Sequence, residues 1–257
     1  MPEGPEVKIM ARRLNKYKNW HLIRLKVLTS QARIEQGGIT GVINKVSSRG
    51  KLTYWEITNK GGKFYIICGL GLAGFWTTKD TDWSKVRFTL KCHNIKQYIY
   101  LADARGFSFL KILSAEEFKA KISKMPPDIL SKRFTLSIFK ENLNKKSIYD
   151  HNIAYALLSQ KVAAGAGTYI TSDSLYLSNI KPGRKVSKLS AADIRRLYKN
   201  IIKVATESYT ANKKINLNID SDIRWINSYK FKIYGKKHIG NKKVKKYEVE
   251  GRYIHYI

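Results

Sequence analysis

The hydrophobic period of this chain changes from β-like to helical near Met125-Pro126-Pro127-Asp128, and that change sets its fold class. Before it lie short runs rich in branched and aromatic residues, at 22–28, 52–58, 64–68, 86–92 and 97–101. Turn clusters such as Ser47-Ser48-Arg49-Gly50 and Asn59-Lys60-Gly61-Gly62 separate them. Ahead of the strands, Val7, Met10, Ala11 and Leu14 fall on one face of a helix over 5–18. After the change, 136–209 reads as helical. Ser190-Ala191-Ala192-Asp193 resembles a capping box, and Ile194, Leu197, Ile201, Val204 and Ala205 continue an apolar stripe. From 229 the pattern turns β again, with Tyr229, Phe231 and Ile233 alternating with Lys230, Lys232 and Tyr234. These readings predict an α+β chain. A helix and a two-layer β-sandwich occupy 1–124, a helical domain 125–225, and a β-hairpin 226–257.

Charge narrows the partners. Lys and Arg number 49 against 19 Asp and Glu, a net charge of +30, which calls for a polyanion. With 43% hydrophobic residues the chain can build true cores. No apolar run reaches the roughly 20 residues of a membrane span. The N-terminus has no apolar signal-peptide core, which argues against secretion. Cys68 and Cys92 sit in apolar runs and read as buried, reduced cysteines; two cysteines cannot supply a zinc ribbon.

The start, Met1-Pro2-Glu3-Gly4-Pro5-Glu6, carries chemistry. Removal of Met1 leaves Pro2 as a secondary amine. An α-amine titrates near about 8, against about 10.4 for lysine, so a useful fraction is nucleophilic at neutral pH. Such amines form Schiff bases, and Glu3 can move the proton such a step needs. The bland alternative is an ordinary start ahead of a helix. Farther on, Ala163-Ala164-Gly165-Ala166-Gly167-Thr168 gives a tight turn, and the amides of the following helix could hold a phosphate. Lys236, Lys237, Lys242, Lys243, Lys245 and Lys246 crowd the C-terminal hairpin, read as a phosphate-binding tip over a merely solvated face.

Taken in order, several segments resemble the formamidopyrimidine-DNA glycosylase / endonuclease VIII (Fpg/Nei) family. They are the Pro2–Glu6 start, Arg49-Gly50-Lys51, Gly71-Leu72-Ala73-Gly74 and Asp103-Ala104-Arg105-Gly106-Phe107. Pro127-Asp128-Ile129-Leu130, the Gly165–Tyr169 turn and Gly251-Arg252 complete the set. The resemblance implies a helix–two-turn–helix domain behind the sandwich, a hairpin finger, and DNA in the cleft between domains. It also implies a bifunctional glycosylase and abasic-site lyase of base-excision repair that flips its target base. Pro2 would attack C1′, Glu3 would protonate the ring oxygen, and Glu6 would orient the site. Lys51 would contact phosphate at the lesion and assist catalysis, and Arg252, also placed in the catalytic set, would grip the phosphates flanking the flipped nucleotide. Leu72, Arg105 and Phe107 would fill the void left by the flipped base, while Gly165, Gly167, Thr168 and Tyr169 would contact DNA. For Leu72 and Phe107 the competing reading is core packing, and for Lys51 it is a plain turn lysine. No metal and no cofactor is expected. The implied partner is damaged double-stranded DNA bound by a monomer, with single strands left open, wherever in the cell the genome lies.

Four positions depart from the family pattern: Thr168 for Asn, Gly69 for His with Leu72 for the common Met, Ser159 for Asp, and a finger without cysteines. The last resembles the zincless finger of some Nei-like enzymes. Gly4, the Gly167–Ile170 segment and 231–233 lean toward the Nei branch. Ala154 stands where the Fpg branch has a lysine tied to 8-oxoguanine, and 211–228 reads as too short for a purine-capping loop. The expected substrates are oxidised pyrimidines and ring-opened purines over 8-oxoguanine. The alternatives are an Fpg-like preference for 8-oxoguanine, a catalytically silent lesion-binding relative, and a general basic architectural or ribosomal protein.

Overall fold

The computed structural model describes residues 2–29, 33–34, 39–215 and 227–257. Met1 and most of the 211–228 segment, with the capping-loop expectation attached to it, lie outside the described residues. The chain forms two compact units. The first holds Pro2, residues 6–124 and the described part of Asn212–Asn227; the second holds 3–5, 125–211 and 228–257.

In the first unit, most of helix α1 (Gly4–Leu14) is followed by β1 (His21–Val27), β2 (Arg33–Ile34), β3 (Gly41–Arg49), β4 (Leu52–Asn59) and β5 (Gly62–Gly69). Then come β6 (Phe75–Thr77), β7 (Ser84–Cys92), β8 (Ile95–Ala102), β9 (Phe109–Ser114) and helix α2 (Ala115–Ser123). The strands hydrogen-bond in the order β2-β9-β5-β4-β3-β1-β7-β8-β6. In a flat sheet β4 and β7 would lie about 14 Å apart, three strand spacings. Yet Trp55 of β4 stacks on Phe88 of β7 with ring centroids 5.1 Å apart, and both rings meet Trp76 of β6. The sheet therefore folds over on itself, giving two layers around one apolar core that includes Leu22, Ile43, Ile57, Ile66 and Leu90.

Strand β3 and the β9–α2 segment extend the sequence reading. In β3 the period is broken by a register shift between Ile43 and Lys45 on pairing with β4, which hides its alternation. Helix α2 starts at a full capping box, Ser114 with Glu117. Cys68 is buried as expected, and burial pushes its thiol pKa up. Cys92 corrects the sequence reading: it is only half-buried, because it ends β7 at the exposed hairpin turn.

In the second unit, α3 (Leu136–Leu143), α4 (Lys146–Tyr149), α5 (Ile153–Leu158), α6 (Thr168–Leu177) and most of α7 (Ala191–Ile215) enclose a separate core. Ser190 and Asp193 cap α7 reciprocally, at 3.1 Å in each direction. Two short hairpins follow: β10 (His238–Ile239) with β11 (Lys242–Lys243), and β12 (Lys245–Val249) with β13 (Arg252–Tyr256). Glu250 and Gly251 both have positive φ at the β12–β13 turn, a conformation glycine takes without strain. Residues 229–234 are not a strand, despite their alternation. The amides of Lys232, Ile233 and Tyr234 all donate to the buried Asp173 carboxylate, at 2.9–3.0 Å, instead of to a neighbouring strand.

Candidate active site

Helix α6 begins at Gly167, which has no side chain to cap it. The first turn of any helix leaves backbone N–H groups without partners. Here the carboxylate of Glu3 supplies them. Its Oε2 accepts from Gly167 N at 2.7 Å and Ile170 N at 3.3 Å; its Oε1 accepts from Tyr169 N at 2.9 Å. The Thr168 hydroxyl adds a contact at 3.4 Å. Glu3 is fully buried, and its charge faces the positive end of the helix dipole. This corrects the expectation for the turn: the α6 amides hold Glu3 and are not left open to a phosphate, and Thr168 is buried against the same carboxylate.

The turn is shaped for this approach. Gly4 N donates to Gly165 O at 2.9 Å, and a Cβ on Gly4 would lie 3.1 Å from the Gly165 Cα. Gly165 itself has φ +105°, a conformation side chains rarely adopt. Gln160 closes the turn from inside: its Oε1 accepts from Gly165 N at 2.8 Å, and its amide donates to Ala166 O.

Pro2 belongs to the first unit. There it lines a cavity of about 540 Å³ with Glu6, Met10, Leu72 and Trp83. Glu6 is buried, and Asn212 donates to its Oε1 at 3.2 Å. Lys51 is half-buried in the two-residue β3–β4 turn, where Gly50 has φ +56°.

The loop after β8 presents the other expected residues. Asp103 is buried and accepts from Arg105 N at 3.0 Å and Ser108 N at 2.6 Å. That frame turns the loop tip outward. Phe107 is 53% exposed, and the Arg105 guanidinium lies 5.6 Å from its ring centroid. Core packing is thereby excluded for Phe107. Gly71, at φ +58°, passes so close to the Phe107 backbone that a Cβ would come within 2.7 Å of it, so the half-buried Leu72 sits on a loop packed against the Phe107 loop. The glycine at 69 also has a reason: the Phe109 ring fills the space where a side chain would stand.

In the second unit Arg252 is half-buried. It pairs with Glu250 at 2.7 Å and reaches Leu158 O at 3.4 Å. The six hairpin lysines are all exposed. Sequence reasoning missed Asp173, which also accepts from Tyr229 OH at 3.1 Å. Burial first, then the Asp173 charge, hold the Tyr229 phenol pKa up, so the phenol remains a donor. It missed Asn212 as well. Neither lies near its partner in sequence, so no local pattern marks them. No group of three or more His, Cys, Asp or Glu with metal-binding geometry occurs among the described residues.

Comparison with known proteins finds matches to both parts of the chain. Residues 1–110 match the formamidopyrimidine-DNA glycosylase N-terminal domain, and residues 125–218 match the formamidopyrimidine-DNA glycosylase H2TH domain. The formamidopyrimidine-DNA glycosylase of Prochlorococcus marinus is 26% identical over 221 residues, covering 77% of this chain and 75% of that protein. Its counterpart from Lactococcus lactis subsp. cremoris is 27% identical over 223 residues, covering 79% and 77%. The fold matches the crystal structure of the MutM (Fpg) protein of Thermus thermophilus, with a TM-score of 0.80 at 22% identity over 100% of this chain and 97% of that one. It also matches the Lactococcus lactis Fpg bound to DNA containing an oxidised pyrimidine, with a TM-score of 0.81 at 22% identity over 99% and 97%. With both domains matched in order along the chain, this protein belongs to the formamidopyrimidine-DNA glycosylase / endonuclease VIII family.

Proposed function

We propose that the protein is a bifunctional DNA glycosylase and abasic-site lyase acting as a monomer on oxidised bases in duplex DNA. The observation that carries this reading is the Glu3 carboxylate seated on the first turn of α6, one peptide bond from a proline that opens on a cavity. A carboxylate fixed in this way costs little reorganisation during a reaction.

The damaged nucleotide is flipped from the stack. The Pro2 nitrogen, freed by loss of Met1, bonds to C1′ as the N-glycosidic bond breaks and the base departs with its electron pair. Glu3 takes up the proton that the Pro2 nitrogen sheds on bonding to C1′ and passes it to the ring oxygen, the C1′–O bond opens, and a cationic iminium remains. The iminium acidifies the C2′ proton; as base removes it the C–H electron pair expels the 3′ phosphate by β-elimination, and loss of the C4′ proton then expels the 5′ phosphate by δ-elimination. Arg105 pairs with the orphaned base, and Phe107 and Leu72 wedge the stack. Lys51, Arg252 and the hairpin lysines bind phosphate, with Arg252 exchanging Glu250 for the backbone. The hairpin at β12–β13 serves as a zincless finger, with no cysteine in its sequence and Asp173 anchoring the segment that leads into it. Chelators should leave activity unchanged.

The substrate preference is for oxidised pyrimidines and ring-opened purines. Ala154 supports it, since a buried alanine at the start of α5 offers no charge for a purine carbonyl. An incision panel on duplexes tests the whole reading. Thymine glycol or 5-hydroxyuracil should be cut faster than 8-oxoguanine opposite cytosine. The opposite order would return the chain to an Fpg-like preference, and binding without incision would make it a silent relative.

A further inference from the structure

The two halves of the folded sheet in the first unit present different outer faces. On β4 and β5 the outward tyrosines, Tyr54 and Tyr65, are covered by Phe118 of α2, with ring centroids 4.9 and 3.7 Å away. A carboxylate balances the cation there, Glu56 with Lys63 at 2.8 Å. On β1, β7 and β8 no described helix packs on the sheet in this way. These three strands contain no Asp or Glu.

Register puts cations in cross-strand rows on that face. His21, Lys91 and Lys96 align in one row, and Lys26 aligns with Arg87 in another. Between them Arg24 and Tyr98 both face Thr89. None of these cations has an ion-pair partner among the described residues. Arg87 and Lys96 instead lie over the half-buried Tyr98 ring, 5.0 and 5.6 Å from its centroid. The buried Arg87 Nε has no hydrogen-bond partner. One isoleucine is left in solvent beside the cations: Ile23, at the β1 bulge, is 38% exposed.

We propose that this face is a second nucleic-acid site that binds a single-stranded polynucleotide. A phosphate rail needs only cations. Tyr98 and Ile23 interleaved with them match unstacked bases, which a duplex keeps inside its stack. An unbalanced cationic face with a guanidinium already seated on an aromatic ring is complementary to alternating phosphate and base. No residue of this face lines the Pro2 cavity.

The test holds the two sites apart. The protein is saturated with an uncleavable duplex carrying a tetrahydrofuran abasic analogue, and fluorescent single-stranded dT12 is then titrated by anisotropy. The saturated complex should bind dT12. Tyr98→Ala should weaken that binding about tenfold, and Tyr98→Phe should restore it. The exposed pair Lys91→Ala with Lys96→Ala should flatten the salt dependence of dT12 binding. All of these variants should incise an abasic duplex within twofold of wild type. Failure of the saturated complex to bind dT12, or equal binding by Tyr98→Ala, overturns the proposal. So does equal competition by an undamaged 12-base-pair duplex or by anionic lipid vesicles, which would make the face a general polyanion surface. Loss of abasic incision in the wild type would overturn the glycosylase reading alone.

Discussion

The first turn of α6 and the loop after β8 treat their side chains in opposite ways. At α6 the key group is inside the protein: Glu3 is fully buried and takes three backbone amides and a hydroxyl. At the β8 loop the frame is inside and the key groups are outside: Asp103 is buried, while Arg105 and Phe107 stand in solvent. The group assigned to the chemistry is fixed as part of a helix cap. The groups assigned to the DNA are displayed on a rigid base and stabilise almost nothing on their own. Substitutions should therefore separate fold from function at one place and couple them at the other.

The largest effect is expected at Glu3. Glu3→Gln leaves α6 amides facing an NH2 group, so it should lower stability by about 1–3 kcal/mol. It should also lower base release by at least about 100-fold. Thermal melting beside single-turnover incision checks both; a variant that melts like wild type would break the coupling. Asp173→Asn comes next. It weakens the carboxylate that gathers the amides of Lys232, Ile233 and Tyr234, and should lower stability by about 1–3 kcal/mol. Misplacement of the hairpin behind it should slow incision roughly tenfold. Phe107→Ala should sharpen the contrast: stability within about 0.5 kcal/mol of wild type, and duplex incision down by about tenfold.

The smallest effect is on pH. Burial, and then the charge of Lys246, hold the His255 imidazole pKa below its ordinary value, against a weaker pull from Asp173. As pH falls through about 6.5 the unfolded chain takes up this proton before the folded one does, so stability falls. Melting temperatures from pH 7.5 to 5.5 should decline less for His255→Gln than for wild type.

What the sequence reveals follows the range of the interactions. The Pro2–Glu3 start and the Asp103–Phe107 loop are contiguous, and their residues announce both the turn and its chemistry. The partner of Glu3 lies more than 160 residues away, so the sequence suggests an α6 terminus open to phosphate while the fold fills it with Glu3. Residues 229–234 alternate like a strand, yet their amides converge on Asp173, a tertiary contact that no local period encodes. Strand β3 fails to stand out because its bulge breaks the period at Asn44. Gly69 reads as a lost histidine until Phe109 is seen in its place.

The central claim is that the Pro2 amine is the nucleophile. Borohydride trapping on a duplex with one abasic site tests it, with wild type beside Pro2→Gly and a form that retains Met1. The account predicts a covalent protein–DNA band for wild type, a much weaker one for Pro2→Gly, and none when Met1 is retained. A band of equal strength from the Met1-retaining form, or no band from wild type despite tight binding, would contradict it.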